Sequence, residues 1–169
     1  MAEAVSGNDR AAALEPDEEA VLAANQALYE ALENGDLEAV EAIWLGPDQA
    51  DDKGGVFCVH PGWPALIGRA QVTRSYMLIM ANTEYIQFFL TDVEVDVQGD
   101  VALVTCTENI LSGGEPEEEG ELGPLVGGKV VSTNLFRRTP DGWRLWSHHG
   151  SPVLTSGDDE DDEEDDDDE

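Results

Sequence analysis

Three short stretches of this chain hold the residues that could do chemistry. In "CVHPGWPALIG", His60 ends an apolar run and is followed at once by Pro61-Gly62-Trp63-Pro64. An imidazole titrates near neutrality, so at the mouth of a pocket it can take and return a proton. The prolines fix the backbone after it and would hold the ring in place. In "KVVSTNLFRR", Asn134 shares a strand face with Val130, Ser132 and Phe136, because same-face residues recur every second position. A buried amide must be paired, either to a ligand oxygen or to a neighbouring backbone group. Glu108 has Cys106 and Ile110 on its own face, and burial would raise its pKa into the range of acid-base work. His148 and His149 are adjacent in a strand, so one of them points inward and the other outward. Trp44, Trp63 and Tyr76 have the flat apolar surfaces that line small-molecule pockets, and equally the bulk that fills cores. No two of the histidines, cysteines and acids have diagnostic metal-ligand spacing, so neither a metal nor a cofactor is expected.

Those residues need elements to position them. Pro16 and Asp17 open a helix, with Glu18 and Glu19 at the positive end of its dipole. Val21, Leu22, Asn25, Leu28, Tyr29 and Leu32 fall on one stripe of it, and Asn34-Gly35 stops it. Asp36 caps a short second helix with Leu37, Val40, Ile43 and Trp44 inside. "VFCVH" reads as a strand, "PGWPALIG" as a turn and a second extended piece, and "RAQVTRSYMLIMAN" as a third helix. From Tyr85 the period becomes two. Ile86, Phe88 and Leu90 take even positions whereas Val93, Val95 and Val97 take odd ones, the mark of a β-bulge. "VALVTCTENIL" is apolar on both parities at its start and predicts cover on both faces. "SGGEPEEEGELGPLVGG" reads as a long acidic loop, and "TPDG" as the hairpin turn between the last two strands. Helices followed by long strands predict an α+β fold, a curved antiparallel sheet wrapped around the N-terminal helices. The domain should span residues 17–155, between a disordered leader (1–16) and a disordered acidic tail (156–169).

Composition narrows the partners. The 169 residues carry a formal charge of −30, and Asp158–Glu169 is an unbroken run of 12 acids. Such a chain repels phosphate backbones and anionic lipid, so neither a nucleic-acid nor a membrane role is expected. The tail suits a solubilising or salt-adapting appendage first, cation or basic-protein binding second, and a nucleic-acid mimic third. Cys58 and Cys106 lie in apolar strand-like runs and read as core thiols of a reducing compartment. The first residues lack a secretory signal pattern, and a cytoplasmic location is expected.

The element order, with "ENGDLEAVEAIW", "CVHPGWPALIGRAQV" and "STNLFRRTPDGWRLWSHHGSP", resembles the SnoaL-like branch of the nuclear-transport-factor-2-like superfamily. The resemblance implies a cone-shaped α+β roll of the cystatin-like kind, open at one end to an apolar pocket and commonly dimeric across its sheet. It implies no single activity. Set against ketosteroid isomerases, His60 stands where they carry a carboxylate base. Tyr76, in "GRAQVTRSY", matches a pocket tyrosine, and Asn134 stands at their protonated aspartate. Their oxyanion-hole tyrosine falls nearer Leu28 than Tyr29, so steroid isomerisation is not expected. The family pattern favours His149 as the inward histidine. "NLFRRTPDGWRLWSHHGSP" is also similar to the association domain of calmodulin-dependent protein kinase II, whose role is oligomerisation. Two classes stay open. One is a homodimeric protein binding a small apolar ligand, whose chemistry, if any, is cofactor-free isomerisation, cyclisation or dehydration. In it His60 is acid or base, Asn134 polarises a carbonyl, and Trp44, Trp63, Tyr76, Glu108 and His149 line the site. The other is a non-catalytic association module.

Overall fold

In the computed structural model the described residues are 14–49, 55–121 and 123–154. Most of the leader (residues 1–13 of 1–16) and all of the acidic tail (156–169) lie outside them. Helix α1, Pro16–Glu33, starts where the proline fixes the first turn, and Glu18 closes it by accepting from the Glu15 N–H. Val21, Asn25, Leu28 and Tyr29 form its buried stripe. Asp36 caps α2, Leu37–Ile43, through the Ala39 N–H at 3.0 Å. Strands β1 (Phe57–Val59) and β2 (Leu66–Ile67) precede α3, Arg69–Ala81. Arg69 ties α3 to α2 by donating to the carbonyls of Glu41, Trp44 and Leu45. Four long strands follow: β3 (Tyr85–Gln98), β4 (Val101–Gly113), β5 (Leu125–Thr139) and β6 (Gly142–Pro152). They form an α+β structure with a single curved sheet ordered β2-β1-β6-β5-β4-β3, antiparallel except between β1 and β6. Among the described residues no helix is long and apolar enough to cross a membrane.

The parity slip in β3 is real: its register on β4 jumps between Thr91 and Glu94, with Asp92 in the left-handed region at φ 51°. The core lies between α1, α2 and the inner face of the sheet, around Val21, Leu28, Val40, Val104, Phe136 and Leu145. Two expectations are corrected. The acidic loop is shorter than expected, residues 114–124, because β4 runs to Gly113 and β5 begins at Leu125. Strand β4 is covered on one face only. Ala102, Val104, Cys106 and Glu108 are buried, whereas Leu103 is 36% exposed on the outside.

A second bulge, in β6, was hidden. Leu135 pairs with Ser147 and Phe136 with Leu145, leaving Trp146 without a partner. The inward parity therefore changes from odd (Trp143, Leu145) to even (His148, Gly150). His148 faces inward and His149 outward, the reverse of the expected assignment.

Candidate functional site

A cavity of about 400 Å³ lies under the inner sheet face, walled by Leu28, Tyr29, Trp63, Tyr76, Phe88 and Ile110 among others. Its size falls within the range of small-molecule sites. His60, Glu108 and His148 line its floor. The sequence brings these groups together through two local devices. Pro61 and Gly62 (φ 79°) make a type II turn closed by the Trp63 N–H on the His60 carbonyl at 2.9 Å. Gly150 lets β6 approach that turn, since a Cβ there would stand 2.9 Å from Pro61.

His60 is buried and gripped. Ser75 Oγ lies 2.7 Å from His60 Nε2 and 2.6 Å from the Val72 carbonyl. A carbonyl only accepts, so the serine proton goes to Val72 and His60 Nε2 carries the hydrogen given to Ser75. The Cys58 sulfur lies 3.6 Å from Nε2 and 3.9 Å from Nδ1. The ring meets Trp63 and Tyr76 edge to face, at 5.1 and 4.9 Å. Burial, with His148 nearby, lowers its pKa to about 4. Burial of Cys58 pushes its thiol up to about 12, so it stays protonated.

His148 holds the opposite tautomer. Its Nδ1 is 2.5 Å from Asn134 Oδ1, which can only accept, so the hydrogen sits on Nδ1. Burial, and secondarily His149, lowers its pKa to about 4. Asn134 then donates both amide hydrogens, to Asn25 Oδ1 at 2.8 Å and to the Tyr29 oxygen at 3.1 Å. Tyr29 donates to Glu108 Oε1 at 2.6 Å, and Ser132 donates to the same oxygen at 2.5 Å. Burial raises the Glu108 pKa, opposed by these two donors. Every bond from His148 to Glu108 thus points the same way.

Trp44 Nε1 is the one sealed side-chain polar atom without a hydrogen-bond partner among the described residues. His148 Nε2 and Glu108 Oε2 have no protein partner either, so they are not sealed and open onto the cavity. Both residues are nearly buried, at 6% and 4% exposure, and both line the cavity.

Of the residues singled out in the sequence, His60, Trp63, Tyr76 and Glu108 meet at the cavity. Asn134 is buried behind it, between Asn25, Tyr29 and His148. Trp44 belongs to the core, its ring packed on Tyr76 at 6.1 Å, and does not line the cavity. His149 lines a shallow depression on the outer face with Val131, Thr133 and Leu135. The Tyr29 hydroxyl sits in the network, one helical position from where the resemblance sought a phenol. Asn25 and Tyr29, four apart on the buried stripe of α1, were the available signal, polar groups on an apolar face. Among the described residues no group of three or more His, Cys, Asp or Glu is placed to hold a metal ion.

A family model for the SnoaL-like domain matches residues 21–155, and the chain belongs to that family. A candidate dehydratase of the NTF2-like family from Streptomyces avermitilis has a solved structure that is 66% identical, with a TM-score of 0.78, covering 82% of this chain and 97% of that one. A candidate calcium/calmodulin-dependent protein kinase type II association domain from Thiobacillus denitrificans is 27% identical, with a TM-score of 0.62, covering 83% and 100%. A ketosteroid isomerase-like protein from Erwinia carotovora, at 19% identity and a TM-score of 0.65 over 84% and 100%, shares the fold. No curated protein matches the chain.

Proposed function

We propose that this domain is a cofactor-independent lyase that removes water from a small, largely apolar hydroxy-carbonyl compound. The reading is carried by the pair of open polar atoms, His148 Nε2 and Glu108 Oε2, on the floor of an apolar cavity. A neutral imidazole offers a lone pair, and burial raises the Glu108 pKa, in the direction that favours the protonated carboxyl the step needs as its acid. His148 Nε2 takes the proton from the carbon beside the carbonyl, and that electron pair forms the C=C bond. The C–O bond breaks, and the leaving oxygen takes the Glu108 proton and departs as water. The step creates an imidazolium and a carboxylate. The oriented chain through Asn134 and Tyr29 stabilises both, because its hydrogens all point toward Glu108. Asn134 acts as a positioning residue that sets the His148 tautomer, and His60, both of whose nitrogens face protein groups, holds Trp63 and Tyr76 in the cavity wall. The description of the 66%-identical relative as a candidate dehydratase supports elimination over isomerisation or cyclisation. The test is a panel of β-hydroxy ketones followed by the absorbance of the conjugated product. Turnover by the wild type and its loss in Glu108→Gln and His148→Ala are expected; turnover that survives both substitutions overturns the reading.

A second reading concerns association and is compatible with the first. Phe89, Leu103 and Val131 are 53%, 36% and 46% exposed on the outer sheet face, beside the depression at Leu135 and His149. Exposed apolar side chains grouped on one sheet face mark an interaction surface, and we propose that two copies of the chain pair there. Light scattering tests it: a dimer mass for the wild type, and a monomer for Val131→Glu.

A further inference from the structure

The charges around the cavity are all of one sign. Among the described residues that line it there is no lysine or arginine, while three are glutamates. Glu108 is at the floor. Glu33 and Glu84 are exposed at the open end, where Glu33 is fixed by accepting the Phe88 N–H at 2.9 Å. Among the buried lining groups, His148 Nε2 and Glu108 Oε2 are without a protein partner, and Asn34 and Thr83 add uncharged polar groups to the wall. Neither histidine supplies a cation at neutral pH, since burial keeps both rings unprotonated. An anionic ligand would enter past two carboxylates and leave its charge unpaired against apolar walls, which is costly. A neutral ligand meets no such barrier. Its hydroxyl oxygen can accept from a protonated Glu108, as the elimination requires, which leaves His148 Nε2 facing the carbon beside the carbonyl.

We infer that the cavity is built for an uncharged ligand carrying a hydroxyl and a carbonyl, and turns away carboxylates and phosphate esters of the same shape. This rests on the cavity being the functional site, as proposed above, and it excludes hydroxy acids, sugar phosphates and nucleotide-borne thioesters as substrates. Reactions that supply the substrate must therefore release or never install an anionic handle.

A matched pair of probes tests it: methyl 6-hydroxy-2-naphthoate and the corresponding free acid, titrated at pH 7.5 with ligand and tryptophan fluorescence. Trp63, in the cavity wall and against His60, is placed to report occupancy. The ester should bind, and the acid should bind about tenfold more weakly or worse. Glu33→Gln combined with Glu84→Gln, substitutions at the mouth outside the proton-transfer groups, should strengthen the acid several-fold and leave the ester unchanged. Equal binding of acid and ester overturns the inference, and so does failure of the ester to bind. Selective binding of the ester by a protein that dehydrates no β-hydroxy ketone would sink the lyase reading alone.

Discussion

Each face of the sheet departs from the usual rule at a few positions. The inner face of β4, β5 and β6 carries Glu108, Ser132, Asn134 and His148, all buried, while the outer face carries Phe89, Leu103 and Val131, all exposed. Polar groups inside and apolar groups outside are the two informative departures from ordinary burial. They teach different things. The inner polar groups are ordered by one another, as a buried polar network must be to avoid the cost of unpaired groups. The outer apolar groups share no such order and need only a complementary surface.

The sharpest way to break the contrast is to remove the proton-carrying groups of the inner face. Glu108→Gln and His148→Ala should each lower kcat on an active β-hydroxy ketone about 10²–10⁴-fold, the range of positioned acid-base groups, in steady-state assays. The corresponding charge on the outer face, Leu103→Glu, should leave kcat unaltered and halve the mass seen by light scattering. A stability measurement comes next. Asn134→Leu strips partners from Asn25, Tyr29 and His148 and should cost about 3 kcal/mol in urea unfolding, whereas Val131→Thr on the outer face should change it little.

The pH dependence follows from the same inner groups. His60 and His148 have folded pKa values of about 4 against an ordinary 6.5. On acidification the unfolded chain takes up these protons first, so their contribution is whole above pH 6.5 and is lost as pH falls from 6.5 toward 4. Glu108, whose pKa is raised above 4.5, works the other way: its contribution is whole below 4.5 and fades as pH rises through its folded value. Urea unfolding at stepped pH should show a slope between 6.5 and 4 that is weakened in His148→Gln. The smallest effect belongs to the exposed pair of Arg138 and Asp17, two bonds of 2.8 Å with the guanidinium stacked on Trp143 at 4.5 Å. Asp17→Asn should leave thermal unfolding, mass and turnover within error of the wild type.

Much of this contrast was legible in the sequence. Periodicity located the helices and the bulge near residue 92, and strand parity put Asn134 and Glu108 on inward faces. The β6 bulge was not legible, because "WRLWSHH" keeps a large aromatic on each side of the slip and so shows no break in its apolar pattern. Nor was the partnership of Tyr29 with Glu108 and Asn134, residues 79 and 105 positions apart that only the packing of α1 on the sheet brings together. Chemistry-bearing residues could be named one at a time, and His60 drew attention by its flanking prolines. Which imidazole keeps an open nitrogen is decided by hydrogen bonds to Ser75 and Asn134, and spacing along the chain carries no trace of those.

Trp146 counts as one surplus residue in the ladder, and His148 owes its inward direction to that surplus. Were β6 to run straight through Trp146 with no bulge, everything beyond it would turn over like a ribbon, and His149 would take the place beside Asn134. Deleting Trp146 does the opposite: Leu145 and Ser147 become neighbours opposite Phe136 and Leu135, and His148 keeps its seat. Which of two identical neighbours meets the hollow is therefore set by whether the ladder skips a residue, and not by the letters that follow.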